Sequence, residues 1–548
     1  MKKRILLFIK PALFLLLGAV MFCGIQDIFT PRWNNNLQDG RTVTGIKILD
    51  VPHLDALFLG TSSVRLGISP MELYKQYGIV SYDLGTSAQQ VSGSYFLLKE
   101  AYQTHSIDTV FFDVSAMFFN EVDYTTAEIN PAWRYILDNL DFGPLKIQMA
   151  KEYAEYGWSD GFFAAIFPII KYHSSWDALA KENFNPPKKM NYYSFGQNVY
   201  SQYAASPHSM EDIEYAARFL YEYTTGKLIE KSGSAVSSLQ IGKELYRPAI
   251  TAENLAYFLK IINLCEAHHS QLILLKIPTN QLPQYYRSAW TSVKSDIITE
   301  LSMNYELKFL DLQYDIDGLV TFETDTTDAG IHLNALGAKK ISNYLGEYMI
   351  NQGLAQPRRE LVYDEALEKY EKVFSVVELQ TTTEFQEYLS YLKTHGGNWT
   401  VSISAGDEYV LGLSDSDHSA LRDLGLEVIN QGEFRDSYVA LVSRGQTLYE
   451  AVSDYEIVHE AQVDGVLFTL ASRNGWLTPP GASIRVDGVE HCWSAVGLNI
   501  VVYDHETNCV IDAVAFNTNQ AEKPCTRNQG KMNQYLRAYE STLCFGGR

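Results

Sequence analysis

Cysteine, basic charge and repetition are what this chain has little of. Six cysteines in 548 residues are too few for a disulfide-built scaffold. They are also unevenly spread: Cys23 and Cys265 stand alone, whereas Cys492, Cys509, Cys525 and Cys544 gather near the C-terminus. In an oxidising exterior those four can form two disulfides, with three pairings open. Lys and Arg number 44 against 65 Asp and Glu, a net charge of −21, which excludes a broad positive field for nucleic acid or anionic lipid. No internal repeat or low-complexity segment occurs. What remains is a chain 46% hydrophobic, able to build sizeable cores and long enough for two or three domains. Its 36 Tyr and 8 Trp suit aromatic-walled clefts as well as core packing.

The N-terminus reads Met1-Lys2-Lys3-Arg4, then an apolar run from Ile5 to Ile25 interrupted by Lys10 and Pro11. A run of this length can cross a bilayer as a helix. The basic flank stays inside, placing the rest of the chain outside the cytoplasm. No Ala-x-Ala site follows, and Phe22 before Cys23 is a poor lipoprotein-type cleavage residue. The expectation is an uncleaved single-pass anchor over residues 1–26.

From Asp55 to Ser115 the pattern alternates as a βαβαβ unit. Strands are expected at 56–59, 80–84 and 109–114, with a helix capped by Ser69 and opened by Pro70. The rhythm returns after residue 250, with strands at 271–277 and 308–312 and a last helix near 336–350. Such short apolar strands fit a parallel sheet covered on both faces. The expected fold class is α/β: a doubly wound parallel-sheet domain over 50–352, interrupted by a helical insertion over 116–250 that serves as a lid. Residues 353–373 read as a linker, and 374–548 as a smaller α/β domain.

Ser62, in Gly60-Thr61-Ser62-Ser63, follows the first strand at the carboxyl edge of the sheet, where open α/β folds place their chemistry. A neutral hydroxyl needs an imidazole to take its proton and usually a carboxylate to orient that imidazole. His332, in Asp328-Ala329-Gly330-Ile331-His332, precedes the last helix of the same sheet, and Asp328 is the nearby acid. His173 in the insertion and Lys276 at the end of the fourth strand are further candidates for substrate binding. Cys265 with His268 and His269 reads as the end of an amphipathic helix, so neither metal nor cofactor is expected.

These segments resemble the SGNH (GDSL-like) hydrolase superfamily over about residues 50–352, and in particular its membrane-anchored members in bacterial envelope-polymer modification. The resemblance implies Ser62 as nucleophile, His332 as base and Asp328 as its partner. It also implies an oxyanion site from the N–H groups of Ser62 and Gly85. Two positions depart from it: the aspartate usually lies three residues before the histidine, where Ala329 stands, and Asp113 replaces an asparagine expected after the third strand. Asp328 can serve only if its loop bulges, with Asp325 the weaker alternative. Ser483 to Gly488, Gly497 to Asp504 and Val510 to Asn517 are similar to the interleukin-like EMT inducer domain in permuted order, which implies glycan binding. There Asp407 or Glu408 with Arg435 is expected to be a structural ion pair.

The function these resemblances imply is acyl transfer to a cell-envelope glycan, supplied by a membrane-bound O-acyltransferase partner. A carbohydrate esterase and a non-catalytic glycan-binding protein are the alternatives.

Overall fold

The computed structural model describes the chain except Met1, 31–37, 120–125, Trp158, Ser175, 180–183, 185–192, 200–248, 280–291, Asp317, Ala329, 474–480 and 546–548. The side chains of residues 2–10, 12, 19, 27, 38, 39, 126–130, 178, 529, 544 and 545 also lie outside the description. The chain falls into two compact units, whose described residues lie within 1–198, 249–319 and 341–364 for one, and within 199, 320–340 and 365–545 for the other.

The first unit is built on β1 (His53–Leu59), β2 (Ser81–Asp83), β3 (Ser106–Asp113), β4 (Gln271–Lys276) and β5 (Lys308–Asp311). All pairings are parallel, in the order β2-β1-β3-β4-β5. Leu57, Phe58, Val110, Phe111, Ile273 and Leu274 are wholly buried, as continuous apolar strands in a two-sided sheet must be. The helix Pro70–Tyr77 starts as its sequence dictates, with the Ser69 hydroxyl accepting from the Glu72 N–H, and ends at Gly78 in the left-handed region at φ 64°. This order reverses direction between β1 and β3, so the crevice outside their carboxyl ends is the topological switch point.

The insertion is helical where it is described, at Thr126–Leu137, Pro144–Glu155, Phe162–Ile166 and Ile169–Tyr172. Ile136 packs so closely on the helix Val91–Ala101 that a Cβ on Gly93 would lie 2.8 Å from it. The insertion thus packs on this helix. The segment reaching the carboxyl edge is Tyr193–Asn198: the Phe195 carbonyl accepts from the Asp83 N–H, and the Asn198 N–H donates to the Arg65 carbonyl. The remainder of the expected lid lies outside the described residues.

Residues 353–373, read as a linker, are packed along much of their length. Arg358 pairs with Asp55 and donates to the His53 carbonyl, and the helix Leu361–Thr381 begins within the stretch. Tyr363 is fully buried, stacks on Phe195 and donates to the Ser81 carbonyl. The aromatic and apolar spacing of that helix, not its charge, decides its burial.

The second unit departs from the α/β expectation, because its sheets are antiparallel. Its strands are β6 (Trp399–Gly406), β7 (Ser437–Ser443), β8 (Gln446–Ser453), β9 (Ile457–Val463), β10 (Val466–Arg473), β11 (Gly481–Val486), β12 (Val489–Glu490), β13 (Gly497–Asp504), β14 (Cys509–Phe516) and β15 (Cys525–Arg527). They form a six-stranded sheet, β15-β14-β13-β6-β7-β8, and a four-stranded sheet, β12-β11-β10-β9. Val439, Leu441, Phe468, Leu470, Ile484 and Val501 share one core. On the other face of the larger sheet, Phe385 and Tyr388 pack on Phe516, while Gln380 donates to the carbonyls of Ile511 and Met532.

Cys492, Cys509 and Cys525 are free thiols. Two disulfides among four cysteines would need at least one bond among these three, so the expected pair of bridges does not form. Burial raises the Cys492 and Cys525 thiols, the latter to about 11, which keeps them protonated and unreactive at neutral pH.

Among the described residues, no helix is long and apolar enough to cross a membrane. The first helix, Lys2–Phe29, nevertheless carries exposed Leu13, Phe14, Leu15, Leu16 and Leu17. Ile5 to Lys10, on which the expected anchor also rests, lie outside the described side chains.

Candidate active site

The strand β1 ends at Leu59 and the chain turns at once into a short helix, Ser62–Gly67, with Thr61 as its N-cap. Gly60 makes the turn possible, since a Cβ there would lie 2.5 Å from the Asp113 Cβ and 2.6 Å from Val64 Cγ2. Ser62 therefore occupies the first helical position beyond β1, half-buried at the switch point. The sequence located the serine and missed the helix, which at six residues is too short for periodicity to reveal.

Gly85 lies against this turn, as expected. A Cβ on it would be 2.7 Å from the Arg65 nitrogen and 3.0 Å from the Thr61 carbonyl oxygen, and the next residue, Thr86, donates its N–H to the Gly60 carbonyl. The N–H that the oxyanion role needs is engaged elsewhere, donated to Asp83 Oδ1 at 2.8 Å. Asp83 is fully buried, and burial raises its pKa well above the usual carboxylate range, against the lowering effects of the Gly85 N–H and the Arg65 charge. Gly85 thus serves in close packing and as a donor to Asp83.

The histidine loop is a tight hairpin. Thr326 bridges Leu333, the Thr327 N–H donates to the His332 carbonyl, and Gly330 takes φ 105°, a conformation that favours glycine. Folding back in this way brings the Asp328 carboxylate onto His332 twice. Oδ1 accepts the His332 backbone N–H at 2.7 Å, and Oδ2 lies 2.6 Å from Nδ1. A carboxylate four residues before the histidine therefore reaches both its backbone N–H and its ring. With Nδ1 donating its proton to Asp328, the tautomer has its lone pair on Nε2. Asp325 is excluded from the role: it is buried, and its Oδ2 binds Lys340 and the Thr321 N–H.

Ser62 belongs to the first unit and the Asp328–His332 pair to the second.

Lys276 is not a solvated strand end. It is buried, its Nζ donates to the Ile277 carbonyl at 2.7 Å, and burial lowers its pKa against the charges of Asp113 and Asp311. His173 is exposed at the end of Ile169–Tyr172, with Nδ1 at 2.9 Å from the Ile170 carbonyl. That is a helix-terminal bond, and nothing in it marks a substrate contact.

In the second unit Arg435 pairs with Asp407 at 3.4 Å and gives its backbone N–H to Glu408, in line with the structural ion pair expected there. His491 is buried with Nδ1 2.8 Å from the Tyr535 hydroxyl. Among the described residues, the one cluster of metal-ligating type is His53, Asp55 and Asp108. It sits at the amino ends of β1 and β3, where Arg358 already neutralises Asp55. Cys265 is buried, and burial raises its thiol to about 12.

No family model and no curated protein matches the chain. Among solved structures it is similar to a Bacteroides fragilis protein described as an acylhydrolase, at 11% identity over 57% of this chain and 96% of that one, with a TM-score of 0.27. It is also similar to a GDSL-like lipase of Bacteroides thetaiotaomicron, at 12% identity over 58% of this chain and 98% of that one, with a TM-score of 0.25. Likeness of this size says nothing of activity, for which the chain's own residues are the guide.

Proposed function

We propose that this chain is a serine acyltransferase of the SGNH type that acylates a cell-envelope glycan from the outer side of a membrane. Ser62 is the nucleophile, His332 the base and Asp328 its orienting acid. The observation that supports this most is the double contact of Asp328 with His332, which fixes the tautomer a general base needs. In the first step His332 Nε2 takes the Ser62 proton as Oγ bonds to the acyl carbon of a donor ester. The donor's alkoxide leaves with that proton. In the second step a sugar hydroxyl gives its proton to Nε2, its oxygen bonds to the acyl carbon, and the Ser62 oxygen is released and reprotonated.

The exposed leucines and Phe14 of the first helix support membrane attachment. Attachment would hold the enzyme near both polymer and a membrane-bound O-acyltransferase donor at high effective concentration. The second unit is assigned to holding the glycan.

A fluorophosphonate probe tests the chemistry on the full chain. Labelling at Ser62 that disappears in Ser62→Ala and His332→Ala is the expected result. Labelling that survives both substitutions, or a wild-type chain that is never labelled, refutes the catalytic reading and leaves glycan binding alone. Water accepting the acyl group as readily as a glycan oligosaccharide would make the enzyme an esterase.

A further inference from the structure

Asp113 stands at the end of β3, across the switch point from the turn that carries Ser62. It is fully buried, yet both of its oxygens are engaged. Oδ2 accepts the Thr61 hydroxyl at 3.1 Å, and Oδ1 accepts the N–H and the hydroxyl of Ser115, at 3.2 and 2.8 Å. Thr61 Oγ1 in turn accepts the Ser63 N–H at 3.3 Å. A single hydroxyl thus donates to Asp113 and receives from Ser63, the two residues on either side of its path, and Ser62 lies between Thr61 and Ser63 in the chain. Asp113 also fills the space that a side chain at position 60 would need.

We propose that Asp113 is a positioning residue for Ser62, acting through the Thr61 hydroxyl to hold the turn after β1. The proposal rests on Ser62 being the nucleophile. A charged acceptor binds a hydroxyl more strongly than a neutral amide does, so the carboxylate at this position holds Thr61 more firmly than an asparagine would. The turn it holds is short and half-buried, and its neighbour Gly60 has no side chain of its own to fix it. Small displacements of a nucleophile are expensive, since about 1 Å can cost about a hundredfold in rate.

Thr61→Val and Thr61→Ser form the decisive pair. Valine keeps the shape and removes the hydroxyl, whereas serine keeps the hydroxyl. In the full chain, Thr61→Val is expected to slow fluorophosphonate labelling of Ser62 by about ten- to a hundredfold, with Thr61→Ser within about threefold of wild type. Asp113→Asn should fall between them. Hydrogen exchange of the backbone amides of residues 62–64 should accelerate in Thr61→Val and Asp113→Asn while the midpoint of thermal unfolding changes little. A labelled wild type with an unaltered rate in Thr61→Val overturns the positioning role and leaves the catalytic reading standing. An unlabelled wild type overturns the catalytic reading, and with it the positioning of a nucleophile. Unchanged exchange in both variants overturns the relay itself, whatever the labelling shows.

Discussion

Replacing Asp328 by Asn is the most searching perturbation of the proposed chemistry. The carboxylate makes two contacts with His332, one to the backbone N–H and one to Nδ1. An amide has a single acceptor oxygen. If that oxygen keeps the backbone N–H, the amide NH2 faces Nδ1 and donates to it, which drives the ring proton to Nε2. A ring protonated at Nε2 cannot take the Ser62 proton. In a wholly buried triad such a substitution lowers turnover by about 10⁴. Here Asp328 and His332 are 35% and 26% exposed, so water competes for Nδ1 and the expected loss is about 10²–10⁴ in kcat/KM.

Asp328→Ala removes the carboxylate without imposing the wrong tautomer, so it should lose less than Asp328→Asn. The assay is p-nitrophenyl acetate hydrolysis by the full chain, with thermal unfolding as control, since neither substitution disturbs a buried group. An Asn variant as active as wild type would mean that Asp328 does not act through the ring. An Ala variant worse than Asn would refute the tautomer argument specifically.

Gly60→Ala should destabilise the first unit by about 1–3 kcal/mol, read as a lower unfolding midpoint, because its Cβ would overlap Asp113 and Val64; an unchanged midpoint would show that the turn yields. Asp83 has a pKa raised by burial, so the fold favours its protonated form. Its contribution is present below the ordinary carboxylate pKa of about 3.9 and is lost as pH rises through the folded-state value. Asp83→Asn should therefore gain stability over wild type as pH rises and match it near pH 3, and a gain of the opposite pH sense would contradict this. Arg527 is fully buried against Asp512 and donates to the carbonyls of Leu379 and Thr382. Arg527→Met should cost about 3–5 kcal/mol, because it leaves a buried carboxylate without its cation; an urea midpoint for the second unit within error of wild type would refute that.

The elements of the first unit were legible because they are set locally. Alternating apolar runs located β1 to β5 within a few residues, and Ser69-Pro70 marked a helix start from its own chemistry. Ser62 just beyond a strand and His332 just before a helix lie where the sequence placed them, because both positions are local features. What sequence could not reach depends on groups meeting across the fold. Asp328 looked one residue out of register with His332 until the Thr326–Leu333 hairpin and Gly330 brought its carboxylate back onto the ring. Gly85 was rightly placed beside the serine turn, but only the buried Asp83 decides where its N–H points.

Lys276 and the linker are the same lesson in burial. The sequence shows a lysine at a strand end and a charged stretch after residue 353, but not that Lys276 and Tyr363 are buried. The second unit shows the limit for topology. The antiparallel pairing of its strands into two sheets could not be read from apolar runs. Short apolar strands look alike in either direction, and the pairing is decided by which loops bring which edges together.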